Sequence, residues 1–228
     1  MSILTFRGGV HPDDGKAMSK DKAISVYEPQ GQIVISMSQH IGAPAVPTVK
    51  KGDRVLVGQK IGEAGGFISA NVHSSVSGEV KSIEPRVMTN GSKATCVVIE
   101  NDGTYEEASV YDIKNDYTGL TKDRIRELIK EAGVVGMGGA CFPTHVKLTP
   151  KNEEEIDYII VNGAECEPYL TSDYRRMLEQ PEYLIEGLKV ILTLFPKAKG
   201  IIGVEDNKKD VIANLKKLVK DEPSIEVK

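Results

Sequence analysis

Apolar positions along the chain fall into two regimes. From Ile24 to about Glu100 they come in short runs, Gln32 to Met37, Val46 to Val49, Arg54 to Val57, Gly78 to Ile83 and Thr95 to Ile99. Clusters of Gly, Pro, Asn and Asp separate the runs, the pattern of short strands joined by turns. This half predicts a compact, mostly β domain. Residues 1 to about 22 are polar, punctuated by Gly8, Gly9 and Pro12, and read as an irregular lead-in. Between Asn101 and Gly119 neither helical period nor alternation survives, so the domain division is set at residues 1–115 and 116–228.

Beyond that boundary the spacing changes. Thr121 is placed to cap a helix over 122–132, with Ile125, Leu128 and Ile129 on one face and Gly133 to end it. Ile156 to Val161 has the length and apolarity of a buried parallel strand, with Asn162 and Gly163 directly behind it. Pro181 opens a helix carrying Leu184, Ile185, Leu188, Ile191, Leu192 and Phe195, and Pro196 stops it. Gly200 to Val204 is another strand, ending in Glu205, Asp206 and Asn207. Asp206 or Asn207 is placed to cap a helix through Leu215, Leu218 and Val219. Ser224 to Val227 reads as one more, unfinished strand, which predicts a piece of a longer chain. Such alternation predicts an α/β domain with a mainly parallel sheet under helices. Ligands of such sheets bind outside the carboxyl ends of strands, where Asn162 to Glu167 and Glu205 to Asn207 fall.

Composition removes several function classes. The net charge of −4 leaves no electrostatic footprint for nucleic acid. No apolar run approaches the roughly 20 residues of a membrane span, and the N-terminus lacks a signal peptide's apolar core, which places the chain in the cytoplasm. Cys96, Cys141 and Cys166 share no C-x-x-C spacing and are too few for the four ligands of a typical iron-sulfur cluster. The four histidines are scattered, so no metal site is expected.

Two stretches carry candidate chemistry. Gly136-x-Gly138-Gly139 follows a helix, so it fails the context of a dinucleotide fingerprint. Its glycines nevertheless let backbone N–H groups approach an anionic or planar ligand, Lys147 adds a point charge for a phosphate, and Phe142 can stack on a ring. Downstream, Asn162, Glu165 and Glu167 supply acceptors suited to ribityl or ribose hydroxyls and a carboxamide, and Pro168 fixes the backbone after Glu167. Cys141 beside the glycines is either an activated thiol or a small buried hydrophobe, whereas Cys166 between two glutamates reads as structural.

These residues also carry a resemblance. Val49 to Gly62 with Val72 to Val80 resembles the barrel-sandwich hybrid fold of biotinyl and lipoyl domains, although Glu63 to Ile68, where those domains display a modifiable lysine, contains none. A structural or docking role is therefore expected of it. GVVGMGGACFPTHVKL and IIVNGAECEPYLTSDYR, with FRGGVHP at Phe6 to Pro12 and SQHIGAPA at Ser38 to Ala45, resemble the C subunit of the Rnf-type ferredoxin:NAD oxidoreductase family and, more distantly, the flavin-bearing NADH-oxidising subunit of respiratory complex I. The resemblance implies a two-domain α+β chain, a barrel-sandwich hybrid followed by a Rossmann-like flavin-binding domain. It also implies an NADH:acceptor oxidoreductase subunit with reversible hydride transfer between NAD(H) and FMN. Gly136, Gly138, Gly139 and Lys147 would cradle FMN, Asn162 and Glu165 would meet the flavin, and Phe142 and Glu167 would receive NADH. Glu205, Asp206 and Asn207 would complete the pocket. Partner subunits would hold the chain at the cytoplasmic face of a membrane, and the family's 4Fe-4S clusters belong to a C-terminal region that this sequence lacks. Two alternatives stay open: an electron carrier like the proline reductase-associated protein, using Cys141, and a non-catalytic docking module.

Overall fold

The computed structural model describes residues 12–109, 116–137 and 139–228. They form two compact units, one of residues 27–153 and one of the lead-in up to Val26 with residues 154–228.

The first unit is a β sandwich. Its strands are β1 (Gln32–Ser36), β2 (Val46–Pro47), β3 (Arg54–Val55), β4 (Lys60–Glu63), β5 (Val72–His73), β6 (Gly78–Val87) and β7 (Lys93–Asn101). They make two antiparallel sheets, β1-β7-β6-β3 and β2-β4-β5. Strand periodicity sends Ile35 inward while Val34 stays exposed, and Met37, Val55, Ile61, Val76, Val80, Val97 and Ile99 close a core between the sheets. Burying a side chain of this kind contributes about 1.5–3 kcal/mol. The β6–β7 hairpin is longer than its apolar runs suggested. Pro85 lies within it, opposite Thr95, at a level where β3, which pairs only with Gly78 and Glu79, no longer borders β6. A residue without an N–H is tolerated there because no second ladder needs it.

This unit continues past residue 115. It includes α1 (Lys122–Glu131) and the single turn α2 (Thr144–Lys147). Thr121 caps α1 as expected, its hydroxyl accepting from the Arg124 N–H at 3.2 Å. At the other end the Gly133 N–H returns to Lys130 and the Val134 N–H to Ile129, the paired bonds of a Schellman ending. Gly133 has φ 66°, and a Cβ there would lie 2.4 Å from the Asn71 carbonyl oxygen. Asn71 Nδ2 in turn donates to the Glu131 carbonyl. Helix α1 is thus fastened to the loop between β4 and β5, and the expected division at 115/116 falls inside one compact unit.

The second unit holds β8 (Tyr158–Asn162), α3 (Ser172–Glu179), α4 (Pro181–Leu194), β9 (Lys199–Gly203), α5 (Lys209–Leu218) and β10 (Ile225–Val227). Its three strands run parallel in the order β10-β9-β8. Met177 of α3, Ile185 and Leu188 of α4, and Val211 and Leu215 of α5 pack with Ile202, Ile225 and Val227 in one core. Pro181 opens α4 and the helix stops before Pro196, as the sequence requires. Three expectations change. Strand β8 is covered on one face only, since Tyr158 and Ile160 are 58% and 67% exposed while Ile159 and Val161 turn to the core. Helix α3 occupies residues to which the apolar pattern assigned no element. Neither Asp206 nor Asn207 caps α5, whose N-cap is Lys208 without a side-chain bond.

Candidate functional site

The two candidate stretches belong to different units. In the first, residues 134–143 form a loop closed at its base by an antiparallel bridge between Val135 and Pro143, with the Gly136 N–H donating to the Phe142 carbonyl at 2.9 Å and the Thr144 N–H to Val134 at 3.0 Å. The Ile41 N–H holds its outer side through the Ala140 carbonyl. Gly136 and Gly139 are exposed, and neither has a positive φ. A Cβ at Gly136 would make only ordinary contacts with Phe142 at 3.7 Å, and one at Gly139 would meet nothing within 4 Å. Nothing in the fold therefore demands glycine at these positions. What the missing side chains provide is bare backbone on the loop's open side, which suits a ligand lying against it. Gly138 lies outside the described residues.

The loop's other groups vary in availability. Phe142 is half-buried. Lys147, at the end of α2, is exposed and makes no ion pair among the described residues. Cys141 is half-buried at φ 51°, with Sγ 3.7 Å from the Gly139 carbonyl oxygen.

In the second unit, Asn162 ends β8. Its Oδ1 accepts the Ala164 N–H at 3.1 Å, closing an Asx turn. Glu165, expected at the flavin, is instead 3% exposed and committed to α3. Its carboxylate accepts the Asp173 N–H at 2.9 Å, the Tyr174 N–H at 3.4 Å and the Ser172 hydroxyl at 3.3 Å, capping a helix whose own N-cap, Thr171, makes no side-chain cap bond. The Glu165 N–H points to a Glu205 carboxylate oxygen at 3.5 Å. Glu167, Asp206 and Asn207 are exposed. Burial, and after it the Glu165 and Glu167 carboxylates, push the Asp173 carboxyl above the ordinary aspartate value, against a smaller opposing pull from Lys16.

Lys16 gave no signal in a polar lead-in, yet it is among the most buried charged residues, at 7% exposure. Its ammonium donates to the Glu165 carbonyl and, at 2.9 Å, to the Leu170 carbonyl, and stands 4.0 Å from a Glu165 carboxylate oxygen. Among the described residues no group of three or more His, Cys, Asp or Glu is placed to hold a metal ion.

Comparison with known proteins matches this arrangement. Residues 4–104 match the RnfC barrel sandwich hybrid domain and residues 129–228 the Nuo51 FMN-binding domain. The chain is 42% identical over 223 residues to the C subunit of the Na(+)-translocating ferredoxin:NAD(+) oxidoreductase complex of Acetobacterium woodii, covering 98% of this chain and 50% of that one. It is 43% identical to the C subunit of the proton-translocating ferredoxin:NAD(+) oxidoreductase complex of Clostridium ljungdahlii, covering 94% and 47%. Against the C subunit of the ion-translocating oxidoreductase complex of Vibrio cholerae it is 35% identical, covering 98% and 29%. The chain thus spans about half the length of the first two relatives and less of the third. A solved NAD+-reducing [NiFe]-hydrogenase chain is 24% identical over 47% of this chain and 20% of that one, at a TM-score of 0.40, a likeness too slight to carry weight. In order along the chain, then, stand the RnfC barrel sandwich hybrid domain and the Nuo51 FMN-binding domain, and along almost its whole length the chain is similar to the C subunits of Rnf-type complexes.

Proposed function

We propose that this chain is the FMN- and NADH-handling part of an Rnf-type ferredoxin:NAD oxidoreductase, exchanging a hydride reversibly between NAD(H) and FMN. The observation that carries the reading is the loop of residues 134–143, whose Gly136 and Gly139 are glycine without any need of the fold, next to Lys147, an exposed cation without an ion pair among the described residues. FMN, when bound, supplies a ring that accepts a hydride and releases electrons singly. The protein's part is to bind and orient. Gly138 and Gly139 offer N–H groups, Gly136, whose own N–H is held by the Phe142 carbonyl, a face without a side chain, Lys147 a charge for the phosphate, and Phe142 an apolar face. Asn162 offers its Nδ2 donor, and Glu167 an acceptor for ribose or carboxamide of a reduced nicotinamide, with Glu205, Asp206 and Asn207 as further polar groups for the same ligands. Glu165 serves by holding α3 rather than by touching the flavin.

The sequential parallel sheet of β8, β9 and β10 supports a Rossmann-like assignment for the flavin-binding domain, and residues 1–115 and 116–228 serve as the chain's two functional segments. The mature assembly is completed by other subunits of an ion-translocating complex, which hold the chain peripherally at the membrane. Among the described residues no helix is long and apolar enough to cross a membrane. Titration with FMN tests the reading: flavin fluorescence is quenched on binding, and anaerobic NADH then bleaches the flavin's visible band. Unquenched fluorescence with the chain in excess over FMN overturns it.

A further inference from the structure

The Lys16 ammonium spans a loop. The carbonyls of Glu165 and Leu170 stand at the two ends of the segment that carries Cys166, Glu167, Pro168 and Tyr169, and Lys16 Nζ donates to both. A buried ammonium is tolerated only where acceptors and an opposite charge replace its water, and here two carbonyls accept from it while the Glu165 carboxylate 4.0 Å away supplies the charge. The lead-in fastens the same loop at further points. The Asp14 carbonyl accepts the Tyr169 N–H at 2.6 Å, Ser19 Oγ lies 3.4 Å from the Tyr169 carbonyl oxygen, and Thr171 Oγ1 donates to Ser19 Oγ at 2.9 Å. Further along, Arg175 donates to the Lys20 carbonyl and Glu179 accepts the Ile24 N–H. Tyr169 itself is held at φ 68°, a left-handed conformation that a side-chain-bearing residue adopts only when its surroundings impose it. Its ring lies against Gly15, where a Cβ would come within 2.3 Å of the ring.

We propose that Lys16 is a positioning residue: its ammonium, delivered by the lead-in strap, fixes the loop from Glu165 to Leu170 and thereby presents Glu167 beyond the end of β8. What Glu167 then contacts rests on the function proposed above. The strap does for this loop what a second strand does for a hairpin, because backbone groups of Glu165, Tyr169 and Leu170 all bond to the lead-in. A purely electrostatic role, neutralising buried Glu165, is a different device and predicts a different double variant.

The test uses the full chain, Lys16→Met, and Lys16→Met combined with Glu165→Gln. Hydrogen exchange across 165–171 should speed up about tenfold in Lys16→Met, the scale of one lost bond to a charged group, while β8, β9 and α4 keep their protection. In NADH-dependent reduction of bound FMN the KM for NADH should rise about tenfold, with kcat and FMN affinity within about twofold. The double variant should stay impaired. Unchanged exchange overturns the proposal, as does faster exchange with an unchanged KM, or recovery in the double variant. If Lys16→Met loses protection throughout the unit, Lys16→Gln, which keeps N–H donors without the charge, gives the same comparison in a less disturbed fold. Should the unmodified chain take up no FMN, the functional reading falls, while the exchange comparison still decides whether Lys16 fixes the loop.

Discussion

Three of the four glycines between residues 133 and 139 do different work. Gly133 occupies a left-handed position and has the Asn71 carbonyl where its Cβ would be. Gly136 and Gly139 have ordinary backbone conformations and open space. Alanine substitution should separate them. Gly133→Ala should cost about 1–3 kcal/mol in a denaturant melt, from the left-handed strain plus the displaced carbonyl. Gly136→Ala and Gly139→Ala should shift the same melt by no more than about 0.5 kcal/mol, in line with other surface changes. They should nevertheless weaken FMN binding about tenfold or more, because a methyl group occupies the bare face that a ligand would lie on. Equal destabilisation by all three would mean that the loop, and not a ligand, accounts for its glycines. Cys141 offers a companion test at this scale. With its sulfur on a carbonyl, Cys141→Ser should leave both FMN affinity and NADH-dependent reduction within about twofold, and a loss of electron delivery with flavin binding intact would revive a redox thiol.

At the scale of elements, α3 shows where local signals end. Helices α1 and α4 announce themselves because their stops and starts are adjacent in sequence: Thr121 and Gly133 for one, Pro181 and Pro196 for the other. The cap of α3 is Glu165, seven residues before the helix begins, and it reaches the first-turn N–H groups only after the loop has folded back. Without that fold the run Asn162 to Asp173 looks like one exposed acidic loop, and Glu165 looks like a free acceptor. The same holds for β4 and β5, short strands that gain their pairing from partners rather than from an apolar run. The glycine loop and Lys147 were legible because their chemistry is local. Lys16 was not, because what makes it unusual is a contact across 149 residues of chain. Glu165→Ala should therefore destabilise the α/β unit by about 2–3 kcal/mol, removing a cap and the opposite charge beside the buried Lys16 ammonium. Glu165→Gln, which retains one acceptor oxygen, should cost less. The measurement is the unfolding midpoint together with the helical signal lost before it, and a wild-type midpoint for Glu165→Ala would show that α3 needs no cap from the loop.

Across the whole molecule the two units differ in how they meet acid. His73 on β5 is pushed below the ordinary 6.5, chiefly by burial and then by the Lys60 ammonium, with the Glu131 carbonyl opposing. His145 on α2 is lowered by burial and then by Lys130, and its buried Nδ1 has no hydrogen-bond partner that could accept a second proton's N–H. Both belong to the unit of residues 27–153, and the described residues of the other unit include no histidine. The sign follows from proton uptake. Folded pKa values below the unfolded value mean that, as pH falls through 6.5, the unfolded chain binds protons that the folded chain refuses. The stability owed to neutral His73 and His145 is complete above that value and drains away as pH descends toward their folded values. In the α/β unit Asp173 acts in the opposite sense at lower pH, since its raised value makes the protonated form the favoured one in the fold. Hydrogen exchange corrected for intrinsic rates, compared at pH values about one unit above and one unit below 6.5, should therefore show β4, β5 and α1 losing protection while β8 and β9 hold theirs. The double variant His73→Gln, His145→Gln should flatten that loss. Parallel loss in both units, or a double variant as acid-sensitive as the unmodified chain, would place the sensitivity elsewhere.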